Sequence, residues 1–178
     1  AGAGPQGAGG YTRGAVITTR EEKLFITPHE GTSPGIVAAC KAGEIEQELY
    51  PQGTWAEKIR AGAFGLGGVL TPTGLDTVLA EGKEVLTING KRFLLELPIK
   101  ADFAFIKGWK ADGAGNVMYD GAVSTNPVVA PAAAFTVAEV NESVATGAID
   151  PLRVGTPGIF VNAVVQGMPE TDEQRLYE

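Results

Sequence analysis

The stretch Glu48–Gly74, ELYPQGTWAEKIRAGAFGLGGVLTPTG, decides how the chain is read. Its middle, TWAEKIRAG (54–62), combines good helix formers with apolar residues at helical spacing. Thr54 is placed as the N-cap, and Glu57 three residues later completes a capping box. A Pro51-Gln52-Gly53 turn precedes the helix; the glycine cluster GAFGLGG (62–68) and the loop TPTG (71–74) follow it. Glycines this dense either punctuate the chain or let backbone approach a ligand closely. Gln52 falls between a strand end and a helix start, where open α/β sheets bind their ligands. Free N–H groups at a helix N-terminus attract carboxylate or phosphate oxygens, and a glutamine amide can donate to a carbonyl oxygen.

Working outward, KLFIT (23–27) reads as a short strand. SPGIVAACKAG (33–43) reads as a helix with Ser33 as cap, Pro34 at its first position and Gly43 at its close. EIEQELY (44–50) alternates apolar and polar residues as a strand does. Strand, helix, strand, helix is the rhythm of an α/β fold. In EVLTINGKRFLLEL (84–97), Asn89-Gly90 between two alternating runs predicts a two-residue type I′ hairpin. DFAFIKGW (102–109), FTVAEV (135–140) and GIFVNAVV (158–165) read as strands, and NPVVAPAAAF (126–135) as a helix broken or kinked at Pro131. The expected architecture is an open sheet with helices on both faces. It is read as one domain over 1–178, with a glycine-rich loop at 1–14 and a polar tail at 167–178.

Composition narrows the function. The 178 residues carry 14 Lys and Arg against 21 Asp and Glu, a net charge of -7, which argues against non-specific nucleic-acid binding. No apolar run approaches the length of a membrane helix. The single cysteine, Cys40, excludes an internal disulfide and points to a reducing, cytoplasmic setting. Cys40 lies in an apolar helix segment and is expected to be a buried, inert thiol. One His and one Cys cannot build a usual zinc site. GAGPQG (2–7) spells the dinucleotide fingerprint, but no strand precedes it, and Pro5 with Gly9-Gly10 argues against the helix that should follow. His29 is the only histidine, and no G-x-S-x-G elbow exists for it to serve, so it reads as a loop residue. Trp55 and Trp109 suit core or interface packing, or the wall of a pocket.

The ordered segments PQGT (51–54), IRAG (59–62), TPTG (71–74), AEGKE (80–84), ADFA (101–104) and TPGIFV (156–161) together resemble the α subunit of family I CoA-transferases, the 3-oxoacid type. GTSP (31–34) is similar to a family segment as well, and the likeness runs over roughly residues 15–166. GLGGVLTPTG with INGKRFLLELP looks most like the acetate or butyrate:acetoacetate enzymes. The resemblance implies CoA exchange between an acyl-CoA and a short-chain carboxylate, with CoA as substrate and no permanently bound cofactor or metal. It implies a glutamyl-CoA intermediate on a β subunit, inside a Ser-Glu-Asn-Gly motif that this sequence does not contain. The partner expected is therefore that β subunit, in an α2β2 assembly. Gln52 matches the family glutamine beside the catalytic glutamate. Gly53, Thr54, Thr71, Thr73 and Gly74 are the further substrate- or CoA-binding candidates. Two departures stand out. The family's N-terminal G-G-F-x-x-x-G-x-P unit is missing, which predicts a longer native chain. The usual R-N-F-N-P run reads MYDGAVSTNP (118–127), without the arginine. These departures leave a non-catalytic binding domain of the same fold as the alternative.

Overall fold

The structure, a computed structural model, describes residues 24–27, 34–121, 123 and 125–167. They divide into two compact units, one within Val16–Lys100 and one from Ala101 onward. No described helix is long and apolar enough to cross a membrane.

The first unit opens with β1 (Leu24–Thr27), α1 (Pro34–Lys41) and β2 (Glu46–Leu49). The two strands pair in parallel, from Leu24 opposite Glu46 to Thr27 opposite Leu49, as a βαβ unit requires. Helix α2 (Gln52–Ala63) follows. β3 (Val69–Thr71), β4 (Val85–Ile88) and β5 (Lys91–Glu96) form an antiparallel sheet in the order β3-β5-β4. The hairpin expected at 84–97 is present. Asn89 and Gly90 take φ of 51° and 76°, the two left-handed residues of a type I′ turn.

Helix α2 buries Trp55, Lys58, Ile59 and Gly62 along one stripe. At Gly62 a Cβ would drive into the carbonyl oxygen of Ile99, so only glycine lets the helix lie this close to that backbone. The Ile99 N–H donates to the Lys58 carbonyl at 3.0 Å. Glu96, at the end of β5 and 2% exposed, accepts from Lys58 Nζ at 3.0 Å and from Lys83 Nζ at 2.7 Å. Lys58 is itself only 6% exposed. A lysine on the buried stripe of a helix is tolerable because the carboxylate it needs arrives from β5.

The second unit is built on two twelve-residue strands, β6 (Ala101–Asp112) and β8 (Ala133–Val144), paired in parallel from Ala101 opposite Ala133 to Asp112 opposite Val144. β7 (Val117–Met118) joins β6 antiparallel and β9 (Ala163–Gln166) joins β8 in parallel, giving the order β7-β6-β8-β9. Ala104, Ile106 and Gly108 on β6, with Thr136, Ala138 and Val140 on β8, form the buried face by simple alternation. Between them runs α3 (Asn126–Val129), which passes into a 3-10 turn at Ala130–Ala132. Pro131 lacks the N–H that would continue the helix, so the expected break occurs there. Buried Asn126 fixes α3 to the sheet: its Oδ1 accepts from the Lys107 N–H at 3.3 Å and its Nδ2 donates to the Val123 carbonyl at 3.1 Å. Asp112 closes the β6–β7 turn by accepting from the N–H groups of Ala114 and Asn116, from Asn116 Nδ2 and from the Gly147 N–H.

Three expectations need correction. Thr54 is not the N-cap of α2. The helix starts two residues earlier, with Pro51 at the cap position and no side-chain cap, because proline already holds φ at -54°. Thr54 is buried, and Glu57 accepts from Arg60 Nε at 3.1 Å in place of closing a capping box. GIFVNAVV is not one strand: Gly158–Phe160 is a 3-10 turn, closed by the Phe160 N–H on the Pro157 carbonyl, and the strand spans only Ala163–Gln166. Cys40 is half-buried on α1, not fully buried. The segments at 1–14 and 168–178, His29 and the Ser33 cap lie outside the described residues.

The two buried carboxylates can each be tested. Glu96→Gln keeps the side-chain shape but strips the negative charge that Lys58 and Lys83 share. Chemical denaturation should show a loss of about 3 kcal/mol or more, the cost of breaking a buried pair; a loss below about 1 kcal/mol would place the pair with ordinary surface ion pairs. For Asp112, burial alone would raise the pKa, but the hydrogen bonds from Asn116, Gly147 and Ala114 outweigh it and hold the carboxyl below its ordinary value. A carboxyl depressed in the folded state adds stability that is complete above the unfolded value, roughly 4, and fades as pH falls through the folded value. Asp112→Asn should therefore be less stable at pH 7, and its stability should fall less steeply below about pH 4. A slope equal to that of the unmodified chain would contradict this assignment.

Candidate functional site

The PQG turn (51–53) sets the geometry of the candidate site. Pro51 has φ -54° and ψ 136°, extended backbone that turns directly into α2. Its carbonyl accepts from the Trp55 N–H at 2.9 Å, the first hydrogen bond of the helix. The N–H groups of Gln52, Gly53 and Thr54 precede that bond and have no partner within the helix. Gln52 and Gly53 are exposed, whereas Thr54 and Trp55 are buried. Nothing stands within 4 Å of a Cβ built on Gly53, so the space beside the turn is open. Among the described residues no hydrogen bond engages the Gln52 side-chain amide. The turn therefore presents a neutral donor, free backbone N–H groups and the positive end of a twelve-residue helix to the same open space.

Trp55 anchors the turn from below. Its side chain is 1% exposed, which fits the packing role read from the sequence. Its indole N–H is buried without a partner, an uncommon cost for a core residue.

Tyr50 anchors the turn from the other side, and sequence reasoning missed it. Its hydroxyl donates to Glu48 Oε2 at 2.9 Å. Lys58 Nζ and Lys83 Nζ stand 4.3 Å and 4.7 Å from the centre of its ring, within cation–π range. Burial, then the hydrogen bond to Glu48, pushes the phenol pKa well above its ordinary value, so Tyr50 remains a neutral ring under the two ammonium groups. A signal for this cluster was present. Lys58 falls three residues after Trp55, on the apolar stripe of α2, and Glu96 falls two residues after buried Leu94, on the inner face of β5. Two opposite charges at inward positions of two elements in one unit call for each other.

The TPTG loop is built in the same unit. Thr71 ends β3 opposite Leu94, and its Oγ1 accepts from the Thr73 N–H at 3.1 Å. Gly74 has φ +92° and packs against Leu79 and Leu94, so a side chain there would be strained twice. Thr77 Oγ1 donates to the Gly74 carbonyl at 2.7 Å and accepts from the Leu79 N–H at 3.2 Å. Arg92 grips Asp76 through two guanidinium nitrogens, at 2.8 Å and 3.3 Å. The loop is thus held firmly while Thr73 stays exposed. Gln52, Gly53, Thr71, Thr73 and Gly74 all belong to the first unit, but among the described residues no hydrogen bond links the PQG turn to the TPTG loop.

The second unit has its own concavity, a half-open cavity of about 260 Å³ beside Trp109, Met118, Ile149 and Arg153. Trp109 is therefore a pocket wall and also a ring under Lys110 Nζ at 4.6 Å. Among the described residues no group of three His, Cys, Asp or Glu side chains could hold a metal ion.

Comparison with known proteins places this geometry. The family described as Coenzyme A transferase matches residues 6–167. One of the two subunits of 3-oxoadipate CoA-transferase from Acinetobacter baylyi is 46% identical over 162 residues, covering 89% of this chain and 71% of that protein. The α subunit of acetate CoA-transferase from Escherichia coli is 42% identical over 85% of this chain and 70% of its own length. The α subunit of acetoacetyl-CoA:acetate/butyrate CoA transferase from Clostridium acetobutylicum is 42% identical over 86% and 71%. Among solved structures, an acyl-CoA transferase from Escherichia coli O157:H7, crystallised as a CoA thioester complex, superposes with a TM-score of 0.73 at 23% identity over 80% of this chain and 32% of that one. Glutaconate coenzyme A-transferase from Acidaminococcus fermentans superposes with a TM-score of 0.74 at 20% identity over 83% and 55%. The chain thus spans about a third of the first of these structures and a little over half of the second; at such identities they show the fold. Sequence and fold agree, and the chain belongs to the coenzyme A transferase family.

Proposed function

We propose that this chain is the α subunit of a short-chain acyl CoA-transferase and supplies half of a site completed by a β subunit. The observation that carries the reading is Gln52: exposed, with an unengaged amide, at the first turn of a helix whose leading N–H groups are unpaired, in a chain of this family. The nucleophile is a glutamate of the β subunit. Its carboxylate attacks the acyl-CoA carbonyl, forming an acyl-glutamyl anhydride and releasing the CoA thiolate. The thiolate then attacks the glutamyl carbonyl, giving a glutamyl-CoA thioester and the free carboxylate of the donor. An incoming carboxylate reverses both steps and leaves with CoA, so no water, metal or redox partner is consumed. Each addition passes through a tetrahedral oxyanion. The Gln52 amide donates to that oxygen, and the positive end of α2 favours the charge as it develops.

The substrates in this reading are a short-chain acyl-CoA and a carboxylate of the acetate, butyrate or acetoacetate class. The named relatives that act on acetate, butyrate or 3-oxoadipate support the carboxylate chemistry. Coenzyme A enters and leaves as substrate. The assembly is α2β2 and the setting cytoplasmic. The exposed hydroxyl of Thr73 and the fixed backbone of Gly74 form a further wall for the substrate in this reading.

The chain expressed alone should exchange no CoA, and the chain co-expressed with a β subunit should exchange it between acetoacetyl-CoA and acetate. In that complex Gln52→Ala should lower kcat by about 10- to 1000-fold, the range for one lost oxyanion donor. An unchanged kcat removes Gln52 from the site. Absence of exchange with any β subunit favours a non-catalytic domain of the same fold.

A further inference from the structure

Helix α2 begins without the device that usually holds a helix start. Its cap residue is Pro51, which has no side-chain oxygen to accept from the first N–H groups. The turn that carries Gln52 must be held from outside the helix. Downstream, Thr54 and Trp55 are buried. Upstream, the engaged side chain is Tyr50, separated from Gln52 by a single proline whose ring fixes φ.

We propose that Tyr50 is a positioning residue for Gln52, clamped by Lys58 and Lys83 so that the PQG turn holds one pose; this rests on the reading of Gln52 given above. Long side chains on a helix lean toward its N-terminus, so Lys58 reaches back from the second turn of α2 to the residue that precedes the helix. Its Nζ stands 4.3 Å from the Tyr50 ring centre while donating to Glu96. Lys83 does the same from the segment before β4, at 4.7 Å. Glu96, 2% exposed at the end of β5, fixes both ammonium groups. Glu48 on β2 holds the phenol hydroxyl. Ring and hydroxyl are thus gripped by β2, α2, β5 and the segment before β4. Four parts of the unit converge on the residue next to the turn, and none of these side chains bonds Gln52 itself. Tyr50 does not touch substrate; it decides where the Gln52 amide points.

Amide hydrogen exchange on the full chain reads the clamp directly through the Trp55 N–H, which bonds the Pro51 carbonyl. In Tyr50→Leu, protection of that amide should fall about tenfold or more, as expected when an element opens locally. Tyr50→Phe keeps the ring and should restore it. Equal protection in Tyr50→Leu and the unmodified chain overturns the inference, whatever the activity. In the complex with a β subunit, Tyr50→Leu should lower kcat by about 10- to 100-fold with little change in the acyl-CoA KM, the penalty for a misplaced group. Tyr50→Phe should recover the rate. Placed on top of Gln52→Ala, Tyr50→Leu should cost little more, because a residue that acts through Gln52 has nothing left to position. Full additivity would overturn the inference. If Gln52→Ala lowers kcat and Tyr50→Leu does not, the inference fails and the reading of Gln52 stands; if Gln52→Ala itself changes nothing, that reading fails. Should Tyr50→Leu not fold, Lys58→Met tests the same clamp, since Glu96 keeps Lys83. It should shift Trp55 exchange and kcat in the same direction, and no shift in either overturns the proposal.

Discussion

Glu96 is the carboxylate on which the first unit depends. It sits at the end of β5 and takes an ammonium group on each oxygen, Lys58 from α2 and Lys83 from the approach to β4. Each lysine would be costly to bury alone, and so would the glutamate. Together they tie α2 to the hairpin at one point. A few residues on, the Ile99 N–H bonds the Lys58 carbonyl, and Gly62 lets α2 lie against the Ile99 backbone. An ionic contact at one level and a close backbone approach at the next leave α2 little freedom to roll or slide. The pose of its N-terminal turn, which carries Gln52, follows from that restraint.

The same cluster explains why an uncapped helix can begin at Pro51. Helix starts usually recruit a serine, threonine or aspartate to satisfy their leading N–H groups. Had α2 done so here, the cap would occupy the N–H groups that face the open space beside Gln52. Proline sets the backbone without consuming a donor, and packing of Trp55 with the clamp on Tyr50 supplies the stability that a cap would give. Local stability has been moved from the helix terminus to side chains on either side of it, and the terminus stays available. The buried, unpartnered indole N–H of Trp55 is a cost of the same arrangement.

How much of this is legible in the sequence depends on whether the physics is local. The hairpin is readable because Asn89-Gly90 takes up left-handed φ values by itself. The break at Pro131 is readable because a missing N–H acts on its own helix. The start of α2 is displaced by two residues from where the sequence puts it: Thr54 and Glu57 spell a capping box, but Pro51 nucleates the helix sooner and tertiary packing takes Thr54 inward. GIFVNAVV misleads because its apolar run looks like a strand, while Pro157 and Gly158 turn the chain first. The PQG and TPTG segments are legible as a candidate site through family resemblance and loop chemistry. Tyr50 is not, because its role exists only when residues 48, 58, 83 and 96 meet. Those four positions span half the first unit's sequence, and no local pattern joins them. The sign that is there, a lysine and a glutamate each at an inward position, asks for a partner without naming it.

In the proposed reaction this chain is the half of a transferase that orients and polarises, and the covalent chemistry belongs to another subunit. The most direct test is intact-mass analysis after the co-expressed complex is mixed with acetoacetyl-CoA and quenched before a carboxylate acceptor is added. The β subunit should gain the mass of a CoA adduct, labile to hydroxylamine as a thioester is, while the mass of this chain stays unmodified. A CoA adduct on this chain, or exchange activity from this chain alone, would contradict that division of labour.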